Sequence, residues 1–250
     1  MMKITGRKII KAVIPYGFIV LYKYLKQIRG EPLRVKGDPL RIKEEPHKNL
    51  NNEFPWLMTE NERTLFKKYI SGSKVYLEFG SGGSTIVTLG QTSGKVYSVE
   101  SSKEWINHMY AKYEIIRKSS DTGRLNLFHA DIGPTGPAGA PVVSGGEKEK
   151  DVFIKYSQEI FEKHPEVKSS DVVLVDGRFR VASCLYSLLN VREDTVIMFH
   201  DFWNRPYYHG VMKYVHIIDG VDSLMICKRR TDNSADEIKK EYNEYKYVFE

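Results

Sequence analysis

Five short runs of β-branched and aliphatic residues recur between residues 74 and 199, and enough chain for a helix separates most of them. The runs are 74–79, 96–99, 125–129, 172–175 and 195–199. Strands that alternate with helices predict a mostly parallel sheet covered by helices on both faces. Two further runs, 215–218 and 223–228, flank Asp219-Gly220, which predicts a hairpin. The sequence therefore predicts a doubly wound α/β fold closed by an antiparallel C-terminal strand pair.

Composition divides the chain into four parts. These are a basic apolar N-terminal segment, a proline-containing linker, one domain and a charged C-terminal tail, at residues 1–29, 30–55, 56–230 and 231–250. Within the domain, Thr59 followed by Glu62 is a capping-box pattern and predicts a helix that ends at Ser71-Gly72. The stretch 132–150 is rich in glycine and proline and follows a strand, so we predict a lid over a ligand site there.

The positive charge of the chain lies in its N-terminal fifth. Residues 1–50 hold 12 basic and 4 acidic side chains, a net charge of +8, so the formal +6 of the whole chain leaves −2 for residues 51–250. A near-neutral body is a poor binder of phosphate backbones, so we expect no nucleic-acid partner. The 41% hydrophobic and 28% charged composition excludes wholesale disorder and a multi-span membrane protein.

The N-terminal segment admits two interpretations. Lys11 and Lys23 bracket an apolar run that is too short to cross a bilayer as a helix, so residues 1–29 are predicted either to make peripheral membrane contact or to pack on the body or a second subunit. No small-residue cleavage site follows this run, and only two cysteines occur in the chain. We therefore expect a cytoplasmic protein, at the membrane surface in the first interpretation. No feature of the sequence assigns an oligomeric state.

The most informative motif is the loop Glu78-Phe-Gly80-Ser-Gly82-Gly83-Ser-Thr85, which follows the first predicted strand. Glycines there permit a tight turn and close approach of the backbone to a ligand. Thr85 stands where a dinucleotide fingerprint has its third glycine, and the Glu78 carboxylate would repel a pyrophosphate. Glu100, about 20 residues on, is placed to accept both ribose hydroxyls. A ribose beside a positive charge favours S-adenosylmethionine over an NAD(P) cofactor.

These motifs, with Asp131 and Asp176 after the third and fourth strands, resemble the ordered motifs of class I SAM-dependent methyltransferases, which have a Rossmann-like fold. The loop, Asp131-Ile-Gly-Pro-Thr-Gly and Val-Asp176-Gly-Arg178-Phe-Arg180 also resemble a bacterial group of such proteins whose acceptors the motifs do not specify. The resemblance implies that the cofactor is S-adenosyl-L-methionine. The residues implied to contact it are Glu78, Gly80, Ser81, Gly82, Ser84, Thr85, Glu100, Asp131 and Ile132.

The ends of the last two parallel strands supply the candidate catalytic residues His200, Asp176 and Asp201. His200 has an ordinary pKa that suits a general base. Catechol-type O-methyltransferases instead hold a divalent metal at these two strand ends, and the resemblance to them implies Mg²⁺ or another divalent cation at Asp176 and Asp201. Both mechanisms remain open on the sequence alone.

The acceptor is expected to be a small molecule or glycan bearing a hydroxyl group. Arg178 and Arg205 are candidates to pair with an anionic acceptor, and Trp203 is a candidate to stack on it. The leading hypothesis is therefore a SAM-dependent O-methyltransferase. The alternatives are an NAD(P)-dependent oxidoreductase and a non-enzymatic membrane-peripheral protein with a degenerate cofactor site.

Overall fold

A computed structural model describes residue 54 and residues 56–142 and 151–249, all within the unit Phe54–Glu250. The prediction for residues 1–29, nearly all of the linker 30–55 and the second half of the predicted lid lie outside the described residues. None of the helices in the described part of the chain combines the length and the apolar character needed to span a bilayer.

The core of the protein is a seven-stranded sheet in the order β3-β2-β1-β4-β5-β7-β6. Its strands are β1 (Val75–Phe79), β2 (Lys95–Glu100), β3 (Leu125–His129), β4 (Val172–Val175), β5 (Val196–Phe199), β6 (Val215–Val221) and β7 (Leu224–Arg229). Strands β1 to β5 are parallel, whereas β7 runs antiparallel to both β5 and β6. The predicted α/β fold with its antiparallel C-terminal pair is confirmed.

Helices cover both faces of this sheet. They are α1 (Glu60–Ile70), α2 (Gly83–Gln91), α3 (Lys103–Lys112), α4 (Glu114–Asp121), α5 (Ile154–Lys163), α6 (Arg180–Asn190) and α7 (Ala235–Tyr245). Successive strand residues point to opposite faces, so Leu77 and Phe79 enter one buried apolar layer while Tyr76 enters the other. The predicted capping box starts α1: the Thr59 hydroxyl accepts from the Glu62 N–H, and the Glu62 carboxylate accepts from the Thr59 N–H.

The hairpin turn lies three residues beyond the predicted Asp219-Gly220. Val221 pairs with Leu224, so Asp222 and Ser223 form the turn, and Asp222 has a φ of 49°. Asp219 belongs to β6, next to a register shift, and its carboxylate accepts from Lys68 Nζ and Tyr69 Oη of α1, each at 2.9 Å. The Asp-Gly pair therefore lies at an irregular position within β6, where the contacts with α1 hold Asp219.

The charged C-terminal tail contributes to the core. It forms α7, an amphipathic helix whose Ile238 and Tyr242 are buried in the same apolar layer as the apolar residues of α6. The Ser234 hydroxyl caps the start of α7 by accepting from the Glu237 N–H at 3.2 Å.

The chain order of the strands reverses between β1 and β4, which is the topological switch point where α/β sheets bind ligands. Phe79 at the end of β1 pairs with Val99 on one side and Val175 on the other. Gly80, Glu100 and Asp176 follow these three residues, so the register brings them to one edge of the sheet.

Candidate functional site

The glycine loop is held against the end of β4. Gly80 has a φ of +96°, and a Cβ added to it would lie 2.6 Å from the Cα of Gly177. The N–H of Gly80 donates to the Val99 carbonyl at 2.8 Å, which links the loop to β2. A side chain at position 80 would be strained by the positive φ and would clash with Gly177, so the loop requires glycine there.

Glu78 lies beneath the loop with no exposed surface. Its carboxylate accepts hydrogen bonds from four hydroxyl groups, those of Tyr76 (2.9 Å), Ser84 (2.7 Å), Ser98 (2.7 Å) and Thr85. Burial raises the pKa of Glu78 to about 7, although these hydroxyl groups act in the opposite direction. This carboxylate supports the loop from below, and its predicted contact with a cofactor stays a prediction.

The side chains of Ser84 and Thr85, in the first turn of α2, also lie beneath the loop, and their contact with a cofactor stays a prediction. Both are buried, and their hydroxyl groups point at Glu78. Thr85 Oγ1 also accepts from the N–H of Gly82 at 2.9 Å. Gly80, Ser81 and Gly82 are the loop residues that keep partial exposure at the edge of the sheet.

Glu100 meets the loop at the end of β2, as the register predicts. Its Oε2 accepts from Ser81 Oγ at 3.0 Å, and its Oε1 accepts from the backbone N–H groups of Ser101 (2.8 Å) and Ser102 (2.9 Å). The residue is only 8% exposed, so its carboxylate has a fixed orientation. A ribose diol bound here would replace the Ser81 hydroxyl as a donor to Glu100.

The first half of the predicted lid lies at the same edge. Asp131 is exposed, and its Oδ1 accepts from the Gly133 N–H at 3.1 Å, while Ile132 is buried. The loop then forms a short 3-10 helix, Pro137–Gly139. The carbonyl of Gly139 accepts from Ser101 Oγ at 2.8 Å. This segment therefore covers the Glu100 side of the site.

His200 lies at the end of β5 with both ring nitrogens facing carboxylates. Nδ1 is 2.7 Å from Asp176 Oδ1, and Nε2 is 3.4 Å from Glu62 Oε2. Burial alone would lower the pKa of His200, but Asp176 and Glu62 together raise it to about 10. The imidazole is then protonated on both nitrogens at neutral pH and has no lone pair for a proton. The role of His200 as a general base stays a prediction, and it requires one ring nitrogen to give up its carboxylate partner.

Glu62 is a site residue that the sequence reasoning missed. Its Oε1 accepts from both the N–H (2.8 Å) and the hydroxyl group (2.6 Å) of Ser223, and only 1% of the residue is exposed. Burial acts to raise its pKa, but the hydrogen bonds from His200 and Ser223 lower the pKa to about 2. The sequence identified Glu62 only as a capping residue, because its partners His200 and Ser223 lie far from it in the chain.

Asp176 and Asp201 are joined by Arg180, the first residue of α6. Its NH2 group lies 3.3 Å from Asp176 Oδ1, and its NH1 group lies 3.1 Å from Asp201 Oδ2. Asp201 also pairs with Arg205 NH2 at 2.9 Å. Burial would raise the pKa of Asp176, but His200 and Arg180 lower it overall. One oxygen of each carboxylate is thus already paired with a cation.

The predicted metal ligands do come together. One ligand atom each from Asp176, His200 and Asp201 lies within 4.8 Å of the others. The donor set nevertheless does not fit a divalent ion, because His200 Nδ1 is hydrogen-bonded to Asp176 and both carboxylates are paired with arginines. A metal ion would therefore have to share these carboxylates with Arg180, Arg205 and the His200 ring.

The three predicted substrate residues differ in their surroundings. Arg178 donates from Nε to the Ala138 carbonyl at 3.0 Å, which ties it to the loop over Glu100. Arg205 keeps a 35% exposed side chain beside Asp201. Trp203 is half-buried and packs on Phe202, with ring centroids 4.9 Å apart, so most of its surface is used within the protein.

No family model and no curated protein matches this chain. A crystal structure of a methyltransferase-like protein from Silicibacter pomeroyi is similar to it at 25% sequence identity and a TM-score of 0.66, covering 78% of this chain and 97% of that one. An O-methyltransferase from Bacillus cereus in complex with SAH matches at 13% identity and a TM-score of 0.44, covering 88% and 94% of the two chains. The fold assignment rests on the first of these. The chain has the class I methyltransferase fold that its motifs predicted.

Proposed function

From this fold and the geometry of its switch point, we propose that the protein is a SAM-dependent methyltransferase. The proposal is supported most strongly by the position of strand β7, which lies between β5 and β6 and is antiparallel to both. A classic dinucleotide-binding sheet has the order 3-2-1-4-5-6 and no such insertion. The sheet therefore favours methyl transfer over the NAD(P)-dependent alternative, independently of the glycine loop.

The cofactor is S-adenosyl-L-methionine, bound across the ends of β1, β2 and β3. Gly80 and Gly82 let the loop backbone approach the methionine part, and Glu100 accepts the ribose hydroxyl groups. Asp131 and Ile132 border the adenine. Glu100 supports this assignment best, because its carboxylate is preoriented by two backbone N–H groups and faces Ser81 of the loop.

The reaction is O-methylation of a sugar, a glycan or another small hydroxylated acceptor. When bound, the cofactor supplies an electrophilic methyl group for in-line displacement. Asp176, whose side chain is 28% exposed at the switch point, accepts a hydrogen bond from the acceptor hydroxyl group and orients it, and the proton of that group passes to solvent. His200 and Arg180 hold Asp176 in position. Arg205 and Tyr207, which is 51% exposed, favour a polar ring-shaped acceptor that carries negative charge.

Calorimetric titration with S-adenosylhomocysteine tests the cofactor assignment. We expect saturable binding by the wild-type protein and at least a ten-fold loss of affinity for Glu100→Gln. Glu104→Gln is the matched control, because Glu104 is exposed on the adjacent helix α3. No binding by the wild type, or tight binding of NADH instead, would contradict the proposal. Transfer of a labelled methyl group to any acceptor would exclude the non-enzymatic alternative.

We further propose that the protein works in the cytoplasm and that residues 1–29 contact a membrane surface. The net charge of +8 in residues 1–50 supports this proposal, since juxtamembrane basic segments bind anionic lipids.

A further inference from the structure

The guanidinium group of Arg180 occupies the centre of the Asp176 and Asp201 cluster. Its Nε donates to the Gly177 carbonyl at 2.9 Å, and its NH1 donates to the His200 carbonyl at 2.8 Å. The remaining donors face the two carboxylates, at 3.3 Å from Asp176 and 3.1 Å from Asp201. Only 10% of the side chain is exposed. Arg180 is therefore a fixed cation that connects the ends of β4 and β5.

A divalent ion at this cluster would share the carboxylates of Asp176 and Asp201 with Arg180. Mg²⁺ binds oxygen ligands at about 2.0–2.1 Å and prefers octahedral geometry. Here one oxygen of each carboxylate already faces the planar guanidinium group of Arg180. Asp176 Oδ1 also faces His200 Nδ1 at 2.7 Å, and Asp201 Oδ2 faces Arg205 at 2.9 Å. An ion held by the other oxygen of each carboxylate would lie beside the positive charges of Arg180 and His200, which repel it.

We infer that Arg180 replaces the divalent cation at this strand-end cluster and that the protein binds no metal ion there. Arg180 acts as a positioning residue, since it holds Asp176 and Asp201 in one arrangement through a permanent positive charge. The inference concerns ion binding by the protein itself and does not depend on the proposed methyl transfer.

Titration with Mn²⁺, followed by electron paramagnetic resonance of the free ion, tests this inference. We expect any binding of Mn²⁺ by the wild-type protein to have a Kd of about 1 mM or weaker, comparable with the weakest protein calcium sites. Arg180→Met removes the cation but keeps much of the side-chain volume. It should bind Mn²⁺ at least ten-fold more tightly, and adding Asp176→Asn should abolish that gain.

Two controls make the test selective. Arg180→Lys keeps a positive charge and should not gain the ion. Arg205→Met removes a cation from Asp201 but leaves Arg180 between the carboxylates, so it should gain little affinity. Submillimolar Mn²⁺ binding by the wild type that Asp176→Asn abolishes would overturn the inference, whether or not Arg180→Met folds. A folded Arg180→Met protein with wild-type Mn²⁺ affinity would overturn it as well.

Discussion

Two buried carboxylates near the switch point have opposite electrostatic surroundings. Glu62 contacts His200 and Ser223, and its pKa falls to about 2. Glu78 contacts only hydroxyl groups, and burial raises its pKa to about 7. A buried carboxylate remains charged at low cost only where a cation compensates for lost hydration. Glu62 therefore behaves as one half of an ion pair, whereas Glu78 binds a proton near neutral pH.

Glu78→Gln should remove part of the pH dependence of folding stability. Because the folded-state pKa of Glu78 lies above its ordinary value of 4.5, the native state binds more protons, and stability falls as pH rises from about 4.5 to 7. The loss is about 3 kcal/mol, from 1.36 kcal/mol for each pH unit. Urea unfolding at pH 5 and pH 8 should show the variant gaining stability relative to wild type at the higher pH. An equal pH dependence in both proteins would refute this assignment.

Glu62→Gln should lower the pKa of His200 and destabilise the fold. The folded-state pKa of His200 is raised, so its contribution to stability is complete below pH 6.5 and is lost as pH rises through about 10. Nitrogen-15 NMR of the wild type at pH 8 should show both ring nitrogens protonated. The variant should titrate at lower pH and lose about 3–5 kcal/mol, as expected when one partner of a buried pair is removed. A neutral ring in the wild type at pH 8 would contradict this.

At the scale of elements, the close contact between the glycine loop and β4 depends on Gly80. Gly80→Ala places a Cβ 2.6 Å from the Gly177 backbone at a φ of +96°, so we expect a loss of more than about 2 kcal/mol in stability. Gly90→Ala is the matched control, because Gly90 lies in α2 with open space around it and should gain about 0.5–1 kcal/mol. Chemical denaturation measures both. Equal effects at the two positions would show that the loop relaxes freely.

Most elements were predictable because their signals are local. The strand runs 125–129 and 172–175 match β3 and β4 at both ends; Arg124 precedes the first run, and Asp171 and Asp176 flank the second. The hairpin turn was misplaced because Asp219 is held by Lys68 and Tyr69, which lie about 150 residues earlier. The approach of Glu62 to His200 spans 138 residues. Contacts of this kind depend on the packed fold and leave no periodic signal in the chain.

For the site, the sequence predicted which residues lie at one edge of the sheet but not which side chains they contact there. Parallel strands necessarily bring Glu100, Asp176 and His200 together at their carboxyl ends. The direction in which each side chain points is set by its partners. Four hydroxyl groups donate hydrogen bonds to the buried carboxylate of Glu78. Two carboxylates face the ring nitrogens of His200. The identity of such partners requires three-dimensional packing.

At the scale of the whole molecule, the net positive charge lies in the N-terminal part of the chain, and the candidate site lies in the rest. Residues 1–50 carry +8 and residues 51–250 carry −2, so the part that holds the candidate site has almost no net charge. Long-range attraction to an anionic surface then comes from the N-terminal part alone. Within the site, Glu62, Asp176 and Asp201 face His200, Arg180 and Arg205, so the cluster is also balanced.

This division predicts that anionic membranes bind the full-length chain through its first basic residues. Replacing four of them by glutamine should weaken co-sedimentation with phosphatidylserine-containing vesicles by at least ten-fold, since each is worth about 1 kcal/mol near the surface. The four are Lys3, Arg7, Lys8 and Lys11. A matched control changes four exposed lysines of the body to glutamine and should bind vesicles as wild type does. These are Lys103, Lys112, Lys168 and Lys239. S-adenosylhomocysteine affinity should be equal in all three proteins, and vesicle binding that survives the N-terminal changes would disprove the assignment of membrane contact to this segment.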